Sequence, residues 1–414
     1  MLLNIYRFIC LLVYPFIPIY LNIRASKDKE IKDRIRERYG FTKERKKSEK
    51  LIWFHAASIG ESLSIMSLIK EIQKINDSQI LITTGTKTSA EIVSNKIRGN
   101  IVHQFLPLDI PIYVNRFLNH WKPNIGILVE SEIWPNLVLN SYKKNIKLFI
   151  INGRMAPKSF KKWSLIPKTS NKIFSCFEES LTQNNDSLIF YENLGVKKTS
   201  YTGNLKFTSS PAKLDNVTKI ELEKQFKNRK VLIAASTHPG EEDMIVNITN
   251  EIRGTRRDFI SVIIPRHPNR NIFIKNQGLE SIVLRSKSKK IKKNTAVYLV
   301  DTLGELELFY SIADFVFIGG SFVNHGGQNP IEASYYGKII NHGPYIQNFT
   351  DVYSTLDDMK VTNYLENPIQ LKQHIISNYE DPLKSSKKDR MHKIKSEGKN
   401  ILEANMDILK KYLP

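Results

Sequence analysis

Two acidic stretches in the N-terminal half carry the residue types that could do proton chemistry. The first is His55-Ala56-Ala57-Ser58-Ile59-Gly60-Glu61, in which an apolar run ends in small residues and turns through Gly60 into a helical pattern headed by Glu61. Small residues let a ligand approach the main chain, and a carboxylate at that turn can take a proton from an attacking hydroxyl. The same glutamate also reads as an ordinary first-turn residue stabilised by the helix dipole. The second stretch is Glu130-Ser131-Glu132-Ile133-Trp134-Pro135-Asn136. Glu130 and Glu132 there suit supporting carboxylates that orient a base or bind hydroxyls, or Ser131 caps a helix with Glu132 facing its dipole.

The C-terminal half carries residues suited to an anionic ligand. Pro265-Arg266-His267-Pro268 follows an apolar run, and its arginine can grip a phosphate with two parallel hydrogen bonds. Gly319-Gly320-Ser321 ends another such run. Gly326-Gly327-Gln328-Asn329-Pro330-Ile331-Glu332 then opens a helical pattern, expected over 329–336, whose free N–H groups would face an anion. Glu332 can accept hydrogen bonds from ribose hydroxyls. Together these features describe a nucleotide site. No GxGxxG follows a strand, and Thr84-Gly85-Thr86-Lys87-Thr88 lacks the order of a phosphate loop, which disfavours dinucleotide and P-loop chemistry. The nine histidines are scattered without metal-ligand spacing, so no metal is expected.

The elements that must position these residues alternate. Leu51–Ala57, Ile80–Thr84, Ile101–Leu106, Ile125–Val129 and Leu148–Asn152 read as strands with helical patterns between them, among them one helix over Glu61–Ile75. The pattern restarts after Ser209-Ser210-Pro211, with strands expected at Val231–Ala235, Phe259–Ile264, Ile282–Leu284, Ala296–Val300, Phe315–Ile318 and Lys338–Asn341. Apolar strands separated by helices predict parallel sheets covered on both faces, here two Rossmann-like domains facing a cleft. The predicted divisions are a hydrophobic anchor over 1–24, an N-terminal Rossmann-like acceptor domain over 25–210, a C-terminal donor domain over 211–383 and a helical segment over 384–414.

Phe8–Leu21 is a run of 14 residues without charge, interrupted by Pro15 and Pro18. That is short of the roughly 20 residues a full crossing needs, so an interfacial or barely spanning anchor is expected. From Arg24 to Lys50 there are 12 Lys/Arg against 6 Asp/Glu, a basic flank of the cytoplasmic kind. The net charge of +21 suits anionic partners, though a solvated basic surface accounts for part of it. A further basic stretch, Ser286 to Asn294, is expected as an exposed loop. Cys10 and Cys176 form no disulfide pattern, in keeping with the reducing side of the membrane.

In this order, the stretches HAASIGE, LPLDIP, ESEIWPN, NGRM followed by Ser159, TGNLKF, IPRHP, DTLGEL, IGGS and GGQNPIEASYYGK closely resemble the bacterial Kdo transferases. Those enzymes add 3-deoxy-D-manno-octulosonic acid (Kdo) to the lipid A precursor. The resemblance runs from about Arg38 to Asp351. It implies a GT-B glycosyltransferase fold and an inverting transfer from CMP-Kdo, with no metal or other cofactor. Glu61 matches the family's general base. Pro265 and Arg266, Leu303-Gly304-Glu305, and Asn329, Pro330, Ile331 and Glu332 match its CMP-binding segments. Ser58, Gly60, Arg154, Lys206, Gly320 and Ser321 are further expected substrate contacts. The implied partners are CMP-Kdo, the lipid A precursor and the anionic inner-membrane surface on its cytosolic face, with no nucleic acid. Gln328 stands where many members have histidine, and Thr208 where an aspartate is usual. Another GT-B enzyme (a UDP-sugar transferase or 2-epimerase) is the nearest rival, and a non-catalytic basic membrane- or nucleic-acid-binding protein is a rival of another class.

Overall fold

Residues 2–96, 99–209, 211, 214–268, 282–381 and 386–414 are described by the structure, a computed structural model. The chain forms two compact units, Met1–Ser209 with Gly398–Pro414, and Ser210–Glu397. One helix, Lys387–Leu409, supplies residues to both. The expected linker residue Ser210 and the expected segment start at 384 lie outside the described residues.

The first unit is built on seven parallel strands. They are β1 (Leu51–His55), β2 (Gln79–Thr84), β3 (Ile101–Phe105), β4 (Ile125–Val129), β5 (Lys147–Gly153), β6 (Phe177–Thr182) and β7 (Thr199–Tyr201), in the order β3-β2-β1-β4-β5-β6-β7. All five residues of β1 and of β4 are buried, as expected where helices cover both faces. Trp53 fills the core from β1 and donates its indole N–H to Thr83 Oγ1 at 2.9 Å. A side chain at Gly126 would come within 2.9 Å of that indole, so β4 needs glycine there. β6 and β7 were not expected from the apolar pattern. β6 reads Phe-Glu-Glu-Ser-Leu-Thr, yet Glu179 is buried because Ser200 Oγ (2.9 Å) donates to its carboxylate.

The second unit repeats the plan. Its strands are β8 (Lys230–Thr237), β9 (Phe259–Pro265), β10 (Ile282–Leu284), β11 (Val297–Leu299), β12 (Phe315–Ile318), β13 (Ile340–His342) and β14 (Thr362–Tyr364), in the parallel order β10-β11-β9-β8-β12-β13-β14. In both sheets the strand order reverses beside the first strand, between β1 and β4 and between β8 and β12. That reversal opens a crevice at the carboxyl ends of the two strands, where such folds bind ligands.

Three local expectations are corrected. The helix expected over Glu61–Ile75 is two helices, Ile59–Ser64 and Met66–Ile75, broken at Ile65. The helix expected at 329–336 is four residues long, Ile331–Ser334, because Gly337 at φ 65° turns the chain away soon after. The basic flank is partly internal: Glu30, buried, pairs with Arg24 (2.8 Å) and with buried Arg38 (3.0 Å), and Arg34 pairs with Glu37 (2.7 Å). Those arginines are committed to the fold of the first unit, whereas the lysines around them remain on the surface.

The N-terminal segment Leu2–Ser26 is helical over 25 residues, long and apolar enough by composition to cross a membrane. Neither proline ends it: Pro15 is absorbed by a 3-10 turn at Tyr14–Phe16, and Pro18 sits in the first turn of Ile17–Ser26, where its missing N–H costs nothing. One face is docked on the first unit. The Tyr6 hydroxyl donates to Asp109 at 2.8 Å, and Ile17 and Leu21 pack with Ile110 and Tyr113. The same Asp109 carboxylate caps the helix Pro135–Lys143 by accepting from the N–H groups of Asn136 (3.0 Å) and Leu137 (2.8 Å). The opposite face exposes Phe8, Leu11, Leu12, Phe16 and Ile19.

Candidate functional site

At the strand-order reversal of the first unit, the ends of β1 and β4 bring three carboxylates together. Ser58 caps the helix Ile59–Ser64 by accepting the Glu61 N–H at 3.3 Å, and its hydroxyl donates back to Glu61 Oε1 at 2.7 Å. The Ala57 N–H donates to Oε2 at 2.7 Å. This reciprocal pairing of cap and carboxylate, a variant of the capping box, fixes the carboxylate in one orientation. Glu61 is 8% exposed, and burial pushes its pKa above the ordinary carboxylate value. The negative charges of Glu130 and Glu132 push it further, against the pull of the Ser58 hydroxyl and the Ala57 N–H. A carboxylate so raised is a stronger proton acceptor than a solvated one.

Glu130 follows β4 with φ 56°, a left-handed conformation that costs a side-chain-bearing residue on the order of 1 kcal/mol. Its neighbours hold it there: its N–H donates to Ile151 O (2.9 Å) and its carbonyl accepts from the Tyr191 hydroxyl (3.0 Å). The carboxylate pairs with Lys206 Nζ at 2.9 Å, both side chains being only partly exposed. Glu132 accepts from the Trp134 indole at 2.9 Å and lies 3.5 Å from His55 Nε2. Despite burial, which raises it, the Glu132 pKa ends below the usual value because of His55 and Trp134. At 3.5 Å the His55 contact is too long for a full hydrogen bond, and His55 Nε2 has no hydrogen-bond partner. Ser131, expected as a possible helix cap, does not cap one; the next helix begins at Pro135. Gly60 is open, with the Lys206 side chain 4.0 Å from where a Cβ would stand, and Arg154 directly follows β5.

Two residues outside the sequence-based set belong to this cluster. Asn152, itself at φ 50°, accepts the Leu205 N–H at 2.9 Å and so anchors the turn that carries Lys206. His55 ends β1 and faces Glu132. Both lie inside motifs already singled out. Their burial is what hid them, since a buried polar side chain at a strand end is indistinguishable in sequence from a core residue.

In the second unit the corresponding strand ends hold a different arrangement. Glu241 is fully buried and accepts four main-chain N–H groups, from His238 (2.9 Å), Gly320 (2.7 Å), Ser321 (3.1 Å) and Phe322 (3.0 Å). A Cβ at Gly319 would stand 2.9 Å from its carboxylate and 2.6 Å from Thr237 Cα, so only glycine fits. The N–H groups of Gly320 and Ser321 are therefore occupied by an internal anion. Arg266 directly follows β9, with its N–H on Thr237 O (3.1 Å) and its side chain exposed. Burial and the Glu307 charge raise the Glu332 pKa, and Arg266 is the cation that draws it back. Asn329 accepts the Ile331 N–H at 3.2 Å through its side chain, while Pro330 and Ile331 are buried.

Gly304, Glu305, Glu307 and Glu332 line one cavity of about 380 Å³. The Glu305 carboxylate is committed to Arg285 (2.5 Å) and to the Thr302 hydroxyl, and its pKa lies below normal although burial opposes this. Leu303 is exposed beside it. Of the carboxylates lining this cavity, Glu307, Glu332 and Asp215 can offer acceptors to hydroxyl and amino groups, and Arg266 offers the charge a phosphate needs. Since the helix after Gly327 has only four residues, its dipole adds little there. No group of His, Cys, Asp and Glu suited to a metal ion occurs among the described residues.

A family model described as 3-Deoxy-D-manno-octulosonic-acid transferase (kdotransferase) matches residues 33–209. The chain is 32% identical over 418 residues to the 3-deoxy-D-manno-octulosonic acid transferase of Rickettsia bellii (strain RML369-C), covering 100% of this chain and 98% of that protein. Among solved structures, a glycosyltransferase from Rickettsia africae ESF-5 superposes with a TM-score of 0.59 at 14% identity, over 88% of this chain and 99% of the other. A UDP-N-acetylglucosamine 2-epimerase gives a TM-score of 0.59 at 13% identity, over 88% of this chain and 96% of that one. These two likenesses establish the fold, the GT-B class of paired α/β units.

Proposed function

The chain belongs to the Kdo transferases, a family of glycosyltransferases, and on that premise we propose that it transfers Kdo from CMP-Kdo to the lipid A precursor with inversion at the sugar carbon. The observation that carries this reading is the Glu61 carboxylate, fixed by Ala57 and Ser58 and raised in pKa by burial and by two further carboxylates. In the proposed step Glu61 takes the proton of the acceptor hydroxyl as that oxygen bonds to the anomeric carbon. The bond to the phosphate of CMP breaks on the opposite face, and its electron pair leaves with CMP. Arg266 neutralises the departing phosphate, and the carboxylates of the neighbouring cavity take the ribose hydroxyls. The Lys206–Glu130 pair sets the field beside Glu61. An arginine supplies the charge that a metal supplies elsewhere, so the reaction is proposed to need none. The apolar face of the N-terminal helix fits work at the cytosolic face of the inner membrane, where a lipid acceptor is met.

The test is mass spectrometry of products formed from CMP-Kdo and a tetra-acylated lipid A precursor. Glu61→Gln should keep CMP binding and lose about 10²- to 10⁴-fold in transfer, the range expected for a general base. Substantial turnover by the variant would remove Glu61 as the base. Calorimetry with CMP and UDP separates this reading from a UDP-sugar enzyme: tighter UDP binding would sink the Kdo donor assignment.

A further inference from the structure

The end of the second sheet opposite Arg266 and Glu241 holds a separate basic basin. Its cavity, about 720 Å³, lies where β8 and β9 begin, beside Arg229 and Asp258. An eight-residue strand separates the two ends of the sheet, about 23 Å at the usual rise per residue. Seven of the lining residues are Lys or Arg and one, Asp258, is acidic. The whole chain has 62 Lys/Arg to 41 Asp/Glu, so this concentration far exceeds the general basic background.

The floor is built, not incidental. Arg229 is held by four main-chain carbonyls, those of Asp258 (2.9 Å), Lys293 (3.2 Å), Phe259 (3.3 Å) and Thr295 (2.5 Å). Arg253 shares the Phe259 carbonyl at 2.7 Å and also bonds Arg257 O at 2.7 Å. Two guanidinium groups are thus packed against one another, and burial together with the Arg253 charge draws the Arg229 pKa down. Carbonyls orient a cation without cancelling its charge, and Asp258 is the acidic group that acts on Arg229. The rim consists of exposed Lys224 and Lys227 on one side and Lys292 and Lys293, from the basic loop, on the other. The guanidinium N–H groups are spent on main-chain carbonyls, so the floor contributes charge while the exposed lysine ammonium groups above supply the hydrogen-bond donors, which together suit a multiply charged phosphate better than a single carboxylate.

We infer that this basin is a second anion site, which binds a pyrophosphate or a pair of phosphomonoesters presented by a soluble phosphate compound or by a lipid headgroup. The inference goes beyond the sugar-transfer reading and does not depend on it.

Binding of inorganic pyrophosphate to the full chain in detergent is measured by calorimetry, together with affinity for phosphatidylglycerol and phosphatidylcholine vesicles. The double variant Lys292→Glu with Lys293→Glu, and separately Lys224→Glu with Lys227→Glu, should each weaken pyrophosphate binding by at least about tenfold, roughly 1.4 kcal/mol. All four side chains are exposed, and two independent pairs guard against a folding defect, which circular dichroism would detect. Loss of pyrophosphate binding with unchanged vesicle affinity assigns a soluble phosphate ligand. Loss of both, with the preference for phosphatidylglycerol reduced, assigns the headgroup. Pyrophosphate affinity equal to wild type in both variants would overturn the site.

Discussion

The first strand of each sheet opens the same local phrase: a largely buried strand, a short turn, then Gly-Glu at the start of a helix. In the first unit it is Gly60-Glu61 after β1, and in the second Gly240-Glu241 after β8. Both glutamates are buried, and burial raises the pKa of both. Their surroundings differ in sign. Glu61 meets one N–H, one hydroxyl and two like charges, whereas Glu241 meets four N–H groups. The donors around Glu241 saturate its oxygens, so it serves as an internal anion that ties the end of β8 to the turn after β12. Glu61 retains acceptor capacity and lies among charges that make a proton welcome. On the proposed mechanism, what distinguishes the two is what the fold leaves unsatisfied around a carboxylate, not the carboxylate itself.

The largest test of that contrast exchanges the two glutamates for glutamine. Glu241→Gln places an amide NH₂ among N–H donors and should cost about 3 kcal/mol or more, seen as a large drop in the thermal midpoint. Glu61→Gln should change stability by less than about 1 kcal/mol while removing transfer. Equal destabilisation by both would erase the distinction. Next in size is Lys206→Met, which withdraws the cation from Glu130. Transfer should fall by about a hundredfold, the scale of losing one preorganised electrostatic group. The sign of the pH effect follows from the charges: an unpaired Glu130 adds to the repulsion on Glu61, so the acid limb of the rate profile moves to higher pH. An unchanged profile would show that the pair has no bearing on the base. The smallest expected effect is that of Ser58→Ala. Loss of the cap should cost about 1 kcal/mol. Because the Ser58 hydroxyl lowers the Glu61 pKa, its removal should also shift the acid limb upward while leaving the alkaline plateau intact. A downward shift would contradict the assigned hydrogen bond.

Much of this architecture was legible in the residues. The apolar runs at Leu51, Ile125, Phe259 and Phe315 mark central strands because both of their faces are covered, and periodicity reports burial well. It failed at Phe177–Thr182, where buried Glu179 is satisfied by Ser200, 21 positions on, and at the three-residue edge strands Thr199–Tyr201 and Thr362–Tyr364, too short to show alternation. In the site, Glu61, Glu130 and Glu132 were visible as carboxylates after strands. That Gly320 and Ser321 give their N–H groups to Glu241, and that Glu305 is taken by Arg285, depends on pairings across roughly 80 and 20 positions in the chain, which no local pattern encodes.

The docking of the N-terminal helix also bears on how the protein can be shortened. Removing Leu2–Ser26 to ease handling would take the Tyr6 hydroxyl from Asp109 and uncover Ile110 and Tyr113. The trimmed chain would exchange a greasy tail for a greasy wound, next to the carboxylate that caps Pro135–Lys143 and steadies the loop bearing Glu132. Improved solubility is better sought by replacing the outward residues Phe8, Leu12, Phe16 and Ile19 with polar ones, which leaves the docked face and its hydrogen bond in place.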